Sequence, residues 1–183
     1  MEIGDIPAHG LFGAADVHYR GPARAAVVAA ADPRFARIVA ERTIAVPHPA
    51  PYRPGQFYLR ELPPLLAVLD GFGRLDLLVI DGYTDLDPAG RPGLGARLHA
   101  ALGVPVVGVA KSAFTAATHA IAVRRGASAR PLFVTAAGIG REQAARLVRD
   151  MAGPFRIPDA LRRADALARG HLPPLAPAPG AET

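Results

Sequence analysis

Two charged side chains that stand at the ends of aliphatic runs are the first candidates for chemistry in this sequence. Asp81, followed by Gly82, ends the run at residues 78–80, and Lys111 ends residues 104–110 in the same way. Such runs are typical of strands buried on both faces of an α/β sheet, whose ligands bind beyond the carboxyl ends of the strands. Asp81 could therefore face a functional site, or it could simply cap the element that follows.

The rest of the chain supplies the elements that must position these residues. Residues 56–71 predict a helix, and because Pro63 and Pro64 fit best in a first turn, the helix proper is expected to start near Leu62. Before it, three strands at 10–19, 23–31 and 35–46 are expected to form an antiparallel meander. After it, the apolar patterns predict strands at 75–81, 104–110, 118–124 and 131–135, and helices at 94–102, 141–151 and 158–169.

This order fits an α/β protein with a ribonuclease H-like fold, in which a mixed central sheet, an antiparallel meander followed by parallel strands, is flanked by helices. In that plan Asp16 on the first strand lies beside Asp81, and Glu61 enters from the loop or helix start between them. Three converging carboxylates repel one another unless cations neutralise them, and oxygen ligands favour Mg²⁺ or Mn²⁺. Such ions could hold a phosphodiester and activate water, while Lys111 stabilises the transition state.

Composition limits the class of protein. The 183 residues, half of them hydrophobic, suit one domain, predicted at 1–170 with a disordered Pro- and Ala-rich tail at 171–183. The absence of cysteine excludes Cys–zinc sites and thiol nucleophiles, and no apolar run reaches membrane-spanning length. A cytoplasmic monomer is the expectation. The net charge of +5, with Lys111 as the only lysine, is compatible with a nucleic-acid partner.

Ordered segments across residues 10–170 resemble the motifs of the endonuclease V family. Each segment is a weak signal alone, but the set in this order is specific. The segments are Gly-Ala-Ala-Asp-Val-His-Tyr at 13–19, Pro-Tyr-Arg-Pro-Gly at 51–55, Phe-Tyr-Leu-Arg-Glu-Leu-Pro at 57–63, Val-Ile-Asp-Gly at 79–82, Gly-Val-Ala-Lys-Ser at 108–112 and Ile-Pro-Asp-Ala-Leu-Arg-Arg-Ala-Asp at 157–165.

The resemblance implies a metal-dependent endonuclease of nucleic-acid repair that cuts the second phosphodiester 3′ to inosine, which is deaminated adenine, in DNA or RNA. It implies that Asp16, Glu61 and Asp81 are metal ligands and that Lys111 contacts the transition state or the attacking water. Tyr52 would be a wedge that fills the gap left by the displaced base, with stacking worth about 1–3 kcal/mol. The other nucleic-acid contacts that it implies are Pro51 and Pro54 in the wedge motif and, around the inosine pocket, Gly55, Gly82 and Leu94.

Four positions depart from the family pattern. Its Asp-Gly-x-Gly is Asp-Gly-Tyr-Thr at 81–84, its His-Pro-Arg is Asp-Pro-Ala at 87–89, and its Ser-x-Gly-His-x-Ile is Thr-Ala-Ala-Gly-Ile-Gly at 135–140. The His of its final helix is Asp165, which could bind a second metal ion or be a solvated helix residue. Tyr83 could be a new stacking surface or could only pack within its loop.

These departures leave two other functions open. The protein could be a non-catalytic binding protein that keeps the fold and the grip on the lesion, or a nuclease for another lesion or for branched DNA. Retained, salt-dependent affinity for inosine DNA without any product would favour the binding protein.

Overall fold

The structure is a computed structural model that describes residues 6–19, 23–47 and 58–175. Over these residues the chain forms seven strands and four helices in the order expected from the sequence. The strands are β1 (Phe12–His18), β2 (Arg24–Ala30), β3 (Ile38–Ala45), β4 (Leu77–Asp81), β5 (Val106–Ala110), β6 (Ile121–Val123) and β7 (Leu132–Ala137). The helices are α1 (Tyr58–Leu69), α2 (Leu94–Leu102), α3 (Arg141–Asp150) and α4 (Asp159–Ala168).

All seven strands join one mixed sheet in the order β3-β2-β1-β4-β5-β7-β6, with β4 at its centre. The first three strands form the predicted antiparallel meander. β4 runs parallel to β1, and β5 runs parallel to β4, so the carboxyl ends of these three strands lie at one edge. β7 and β6 add an antiparallel pair on the far side. This is the sheet expected of the ribonuclease H-like fold.

Helices cover both faces of the sheet, because successive side chains of each strand point to opposite faces. On one face, Ile80 of β4 packs with α1 and α2, represented by Leu65 and Leu98. On the other face, Val79 of the same strand packs with α3 and α4, represented by Val148 and Leu161. The sheet therefore lies between two apolar layers, each formed with one pair of helices.

The start of α1 differs from the prediction. The helix begins at Tyr58 and not near Leu62, and Pro63 and Pro64 lie inside it rather than in its first turn. A proline inside a helix has no N–H to donate and leaves the carbonyl four residues earlier without its helical partner. This loss is the reason to expect a later start, and the structure compensates for it from outside the helix.

The hydroxyl of Tyr19 replaces the hydrogen bond that Pro64 cannot make. The carbonyl four residues before Pro64 is that of Arg60, and Tyr19 Oη donates to this oxygen at 2.6 Å. The Arg60 guanidinium also lies over the Tyr19 ring, 3.9 Å from its centroid. Because Tyr19 directly follows β1, these contacts fasten the first turns of α1 to the carboxyl edge of the sheet and so position Glu61 there.

Arg125 organises the segment between α3 and α4. Its side chain is buried, and its guanidinium donates to main-chain carbonyls at the end of α3 and in that segment. These acceptors are Arg149 O at 3.3 Å, Phe155 O at 2.9 Å, Gly153 O at 3.1 Å, Ala152 O and Arg156 O at 3.4 Å, and Met151 O. The segment in turn carries Arg156, whose guanidinium donates to Lys111 O at the end of β5.

No helix within the described ranges is long and apolar enough to cross a membrane. The division into one domain at 1–170 and a disordered tail at 171–183 stays a prediction. At the start of that tail, Leu175 N–H donates to Glu41 Oε2 at 2.8 Å.

Replacing Arg125 by methionine should lower the free energy of unfolding by about 2–4 kcal/mol, because several buried carbonyl oxygens lose their donor. The matched control is Arg124→Met, which removes an exposed guanidinium from the neighbouring position and should change the stability by less than about 0.5 kcal/mol. Chemical denaturation of both variants measures the difference. Equal losses in the two variants would contradict this role of Arg125.

Candidate active site

Asp16 and Asp81 lie side by side at the carboxyl edge of the sheet. In the parallel pair of β1 and β4, Ala15 is opposite Ile80, so Asp16 and Asp81 are the next residues on the two strands. Both carboxyl groups are half-buried, and Asp81 is the last residue of its strand. The register of the sheet therefore brings together two acids that are 65 residues apart in the sequence.

Glu61 joins this pair from the first turn of α1. It is only 9% exposed, and its burial raises the pKa of the carboxyl to about 8, with further contributions from the charges of Asp16 and Asp81. The positive charge of Arg60 acts in the opposite direction. The three acids named from the sequence are thus close enough for the charge of each of the other two to act on Glu61.

Asp16 shows the same electrostatic stress. Burial raises the pKa of its carboxyl to about 7, and the charges of Asp81 and Asp165 add to the effect. The Val17 N–H donates to Asp16 Oδ1 at 2.8 Å, which stabilises the ionised form, and Lys111 also favours it, but neither offsets the burial. We refer to Asp16, Glu61 and Asp81 as the carboxylate cluster.

Lys111 directly follows β5 and supplies a positive charge to the cluster. Its ammonium donates to Asp81 Oδ2. Desolvation lowers the pKa of Lys111, but the hydrogen bond and charge of Asp81, together with the charges of Asp16 and Asp165, outweigh desolvation and raise it. The lysine is therefore a fixed cation at neutral pH. Its carbonyl accepts from Arg156, which ties the residue to the segment before α4.

Asp165 extends from α4 toward the cluster. Its charge acts on both Asp16 and Lys111, which places it within electrostatic range of the site. Both of its carboxylate oxygens accept from Arg169 Nε at 2.8 Å, one turn later in the helix. The role of Asp165 as a ligand of a second metal ion stays a prediction.

The chemistry of this donor set fits a divalent cation, because oxygen ligands that repel one another are stabilised by a shared positive ion. Among the residues that the structure describes, however, no group of three or more His, Cys, Asp and Glu side chains is already arranged to hold a metal ion. In this arrangement the Lys111 ammonium contacts Asp81.

A cavity of about 290 Å³ opens beside the cluster, and Glu61 and Asp81 form part of its wall. Gly82 and Leu94, both named from the sequence, also line it, and Gly82 has a φ of +137° that favours glycine. The remaining wall residues are Tyr58, Tyr83, Leu86, Pro92 and Gly93. The other residues named from the sequence, Pro51, Tyr52, Pro54 and Gly55, lie outside the described part of the chain.

Two departures from the family pattern turn out to be linked. Thr84 is fully buried, and its N–H donates to Oγ1 of the equally buried Thr135 at 2.8 Å. The contact passes over Gly108 of β5, where an added Cβ would lie 2.7 Å from Thr135 Oγ1 and 2.6 Å from Gly82 O. The two threonines therefore brace the strand ends below the cavity, and a glycine between them is required.

The loop at 84–92, a further departure, is closed by its own contacts. Asp87 accepts from the Arg91 N–H and from Arg91 Nε, each at 3.1 Å. Leu86 N–H donates to Arg91 O at 2.8 Å. The loop thus carries Leu86 and Pro92 to the cavity wall as one structured turn.

Tyr58 and Arg156 are site residues that the sequence analysis missed. Tyr58 stands three residues before Glu61, a spacing that places both on one helix face, but only if α1 starts before Leu62. The Arg97 guanidinium lies 3.5 Å from the centroid of its ring and supports it from α2. Arg156 has no local signal, since its guanidinium donates to Lys111 O and to Pro131 O, which are 45 and 25 residues away.

Comparison with known proteins points to one family. The sequence matches the Endonuclease V family model over residues 5–121. The endonuclease V of Streptomyces avermitilis is 34% identical, in an alignment that covers 93% of this chain and 84% of that protein. The crystal structure of the endonuclease V from Streptomyces avermitilis superposes with a TM-score of 0.77 at 30% identity, again covering 93% and 84% of the two chains.

A more distant structure shares the fold. The crystal structure of the endonuclease V of Ciona intestinalis, in complex with DNA containing an inosine followed by a ribo-adenosine, has a TM-score of 0.75 at 21% identity. The alignment covers 89% of this chain and 85% of that one.

The metal-free protein should lose stability as the pH rises from about 4 to about 8. In the folded state Asp16 and Glu61 keep protons up to pKa values of about 7 and about 8, whereas the unfolded chain releases them near pH 4. The folded state binds more protons throughout this window, so the free energy of unfolding falls as the pH rises through it. Thermal unfolding in the presence of a chelator at a series of pH values measures the slope.

Asp16→Asn should reduce this slope and raise the melting temperature of the metal-free protein at pH 8 by roughly a few degrees, because a neutral amide neither loses charge hydration nor repels Glu61 and Asp81. Asp70→Asn, at an exposed position just beyond the opposite end of α1, is the matched control and should leave the slope unchanged. An Asp16→Asn protein as sensitive to pH as the parent would refute the proposed cause.

Proposed function

The chain belongs to the endonuclease V family and is therefore a nuclease, and from this premise we propose that it hydrolyses a phosphodiester on the 3′ side of inosine in DNA or RNA. The observation that carries the proposal is the carboxylate cluster beside Lys111, at the edge of a cavity of about 290 Å³. The complex of the Ciona intestinalis relative with inosine-containing DNA supports the choice of lesion. The reaction is a step in the repair of deaminated nucleic acid.

The family implies a divalent metal cation, and we propose Mg²⁺, with Mn²⁺ as a substitute, held by Asp16, Glu61 and Asp81. When bound, such an ion would polarise the phosphate and lower the pKa of a bound water molecule. The raised pKa values of Asp16 and Glu61 support this assignment, because a cation in contact with both would stabilise the ionised carboxylates that burial and mutual repulsion disfavour. Asp165 is proposed as a further oxygen ligand on the α4 side.

The side chains of this protein would act on the phosphate and on the base separately. Lys111 would donate to a phosphate oxygen and offset the negative charge that develops in the transition state. Gly82 and Leu94 would contact the displaced base in the cavity, and Tyr52 would fill the gap that the base leaves in the stack. Pro51 and Pro54 would stiffen the wedge segment, and Gly55 would let the backbone approach the base around the inosine pocket. We expect the protein to act as a monomer in the cytoplasm.

An oligonucleotide with one inosine should be cut at a single position on the 3′ side of the lesion, and the same strand with adenosine in place of inosine should stay intact. The assay is run on single-stranded DNA, duplex DNA and RNA, with Mg²⁺, with Mn²⁺ and with a chelator, because only divalent ions should support the cut. Products are identified by size on a denaturing gel. Binding without any product under either ion would favour the non-catalytic alternative.

Asp16→Asn and Asp81→Asn should each lower the cleavage rate by at least about 10²-fold, because each replaces a carboxylate that holds the metal ion against the phosphate by a neutral amide. Asp70→Asn serves as the control, since it makes the same chemical change at an exposed position past the opposite end of α1. Single-turnover cleavage with excess protein measures the rates. Parent-like rates in either cluster variant would exclude that residue from the metal site.

Lys111→Met should lower kcat about 10²- to 10³-fold with little change in KM, because the lost charge acts on the transition state more than on the bound substrate. Arg74→Met removes an exposed cation near the opposite end of β4 and should leave kcat unchanged. Steady-state kinetics on the inosine strand separate the two constants. An increase confined to KM would assign Lys111 to substrate binding alone.

A further inference from the structure

Two aromatic side chains meet at the edge of the active site. Tyr83 lines the cavity together with Asp81, and its ring packs against that of Phe114 with a centroid distance of 6.0 Å and an interplanar angle of 55°. Phe114 stands three residues after Lys111, and 42% of its surface is exposed to solvent. The pair therefore connects the cavity to the outer surface on the side of the catalytic cation.

The hydroxyl of Tyr83 holds this arrangement in place. Tyr83 Oη donates to Ser112 O at 2.7 Å and accepts from Phe114 N–H at 3.0 Å. Burial raises the pKa of Tyr83, although the Phe114 N–H acts against the rise, so the phenol stays protonated and continues to donate. The backbone on both sides of residue 113 is thus fixed, while the ring of Phe114 remains open to solvent.

The surroundings of the pair indicate the chemistry of a partner. A single exposed phenylalanine is common and needs no explanation, but an exposed ring with a fixed backbone beside a phosphate-binding cation is a different case. Nucleases and single-strand-binding proteins bind unpaired strands in this way, with cations on the phosphates and aromatic rings on the bases. Lys111 supplies the cationic side of this combination, and Arg156 holds its main-chain carbonyl in place.

We propose that Phe114, supported by Tyr83, is a stacking platform for an unpaired base of the nucleic-acid strand bound in the active site. The inference rests on the proposed function, because that function supplies the strand. Stacking accepts every base, since each has a π face, so the platform adds affinity and orders the strand without reading its sequence. Packing within the loop accounts for the hydroxyl contacts of Tyr83 but gives no role to the exposed face of Phe114.

The test compares two single strands of about 12 nucleotides, one of thymidines and one of abasic residues, neither of which contains inosine. Affinities for the full chain are measured in Mg²⁺ by fluorescence anisotropy, with a gel to confirm that the strands stay intact. The parent should prefer the strand with bases, and Phe114→Ala should reduce this preference by about fivefold or more. Phe114→Trp should retain the preference, whereas Phe114→Leu should lose it.

Salt provides a second readout. Because stacking releases no counterions, Phe114→Ala should leave the slope of log affinity against log salt concentration unchanged while lowering the affinity itself. A shallower slope in this variant would mean that the substitution disturbed phosphate contacts, and it would overturn the stacking assignment. Parent-like melting temperature in Phe114→Ala confirms that the fold is intact.

Phe155→Ala is the matched control. This phenylalanine is also exposed, at 54%, but its ring is covered by the Arg162 guanidinium at 4.3 Å from the centroid, and it lines a different cavity. It should keep the parent's preference for bases. A parent-like preference in Phe114→Ala, or an equal loss in Phe155→Ala, would overturn the proposal. Since the strands carry no lesion, a failure of inosine cleavage and a failure of the platform are separate results.

Discussion

The fold has to hold carboxylates that repel one another at a place where water solvates them poorly. Burial first, and then neighbouring charge, raises the pKa of Asp16 to about 7 and that of Glu61 to about 8. Side chains on a flexible backbone would relieve this repulsion by moving apart. Here the ladder between β1 and β4 fixes the first pair, and the docking of α1 fixes the third member, so the carboxyl groups cannot separate and instead hold protons near neutral pH that a bound cation would displace.

The contacts that keep the site together are polar and lie outside it. Tyr19 fastens α1 through the carbonyl that Pro64 leaves without a helical partner. Arg125 donates to carbonyls of the segment between α3 and α4, and Arg156 of that segment donates to Lys111 O. Each of these donors satisfies a backbone acceptor that no strand or helix satisfies. The apolar layers stabilise the sheet, whereas these few side chains position Glu61 and Lys111 at its carboxyl edge.

Sequence reasoning recovered the elements whose signals are local and missed those that depend on distant partners. Buried strands with abrupt polar ends predicted β4 and β5, and the order of strands and helices predicted the meander and the place of β1 beside β4. The predicted start of α1 was wrong because the hydrogen bond that Pro64 cannot make to Arg60 O is replaced by one from Tyr19, 45 residues earlier in the chain. The sequence shows Thr84 and Thr135 as two separate changes, since their contact depends on β4 and β7 both pairing with β5 at Gly108.

Lys111 has one more consequence, which follows from its being the only lysine among the 183 residues. Its side chain is 44% exposed, so reagents and enzymes that acylate amines meet a single ε-amino group in this sequence, and it is the one that contacts Asp81. Acylation there would remove the positive charge beside the carboxylate cluster, and no other side chain carries a primary amine that could react in its place. Such modification of the single lysine side chain would therefore always remove the positive charge beside Asp81.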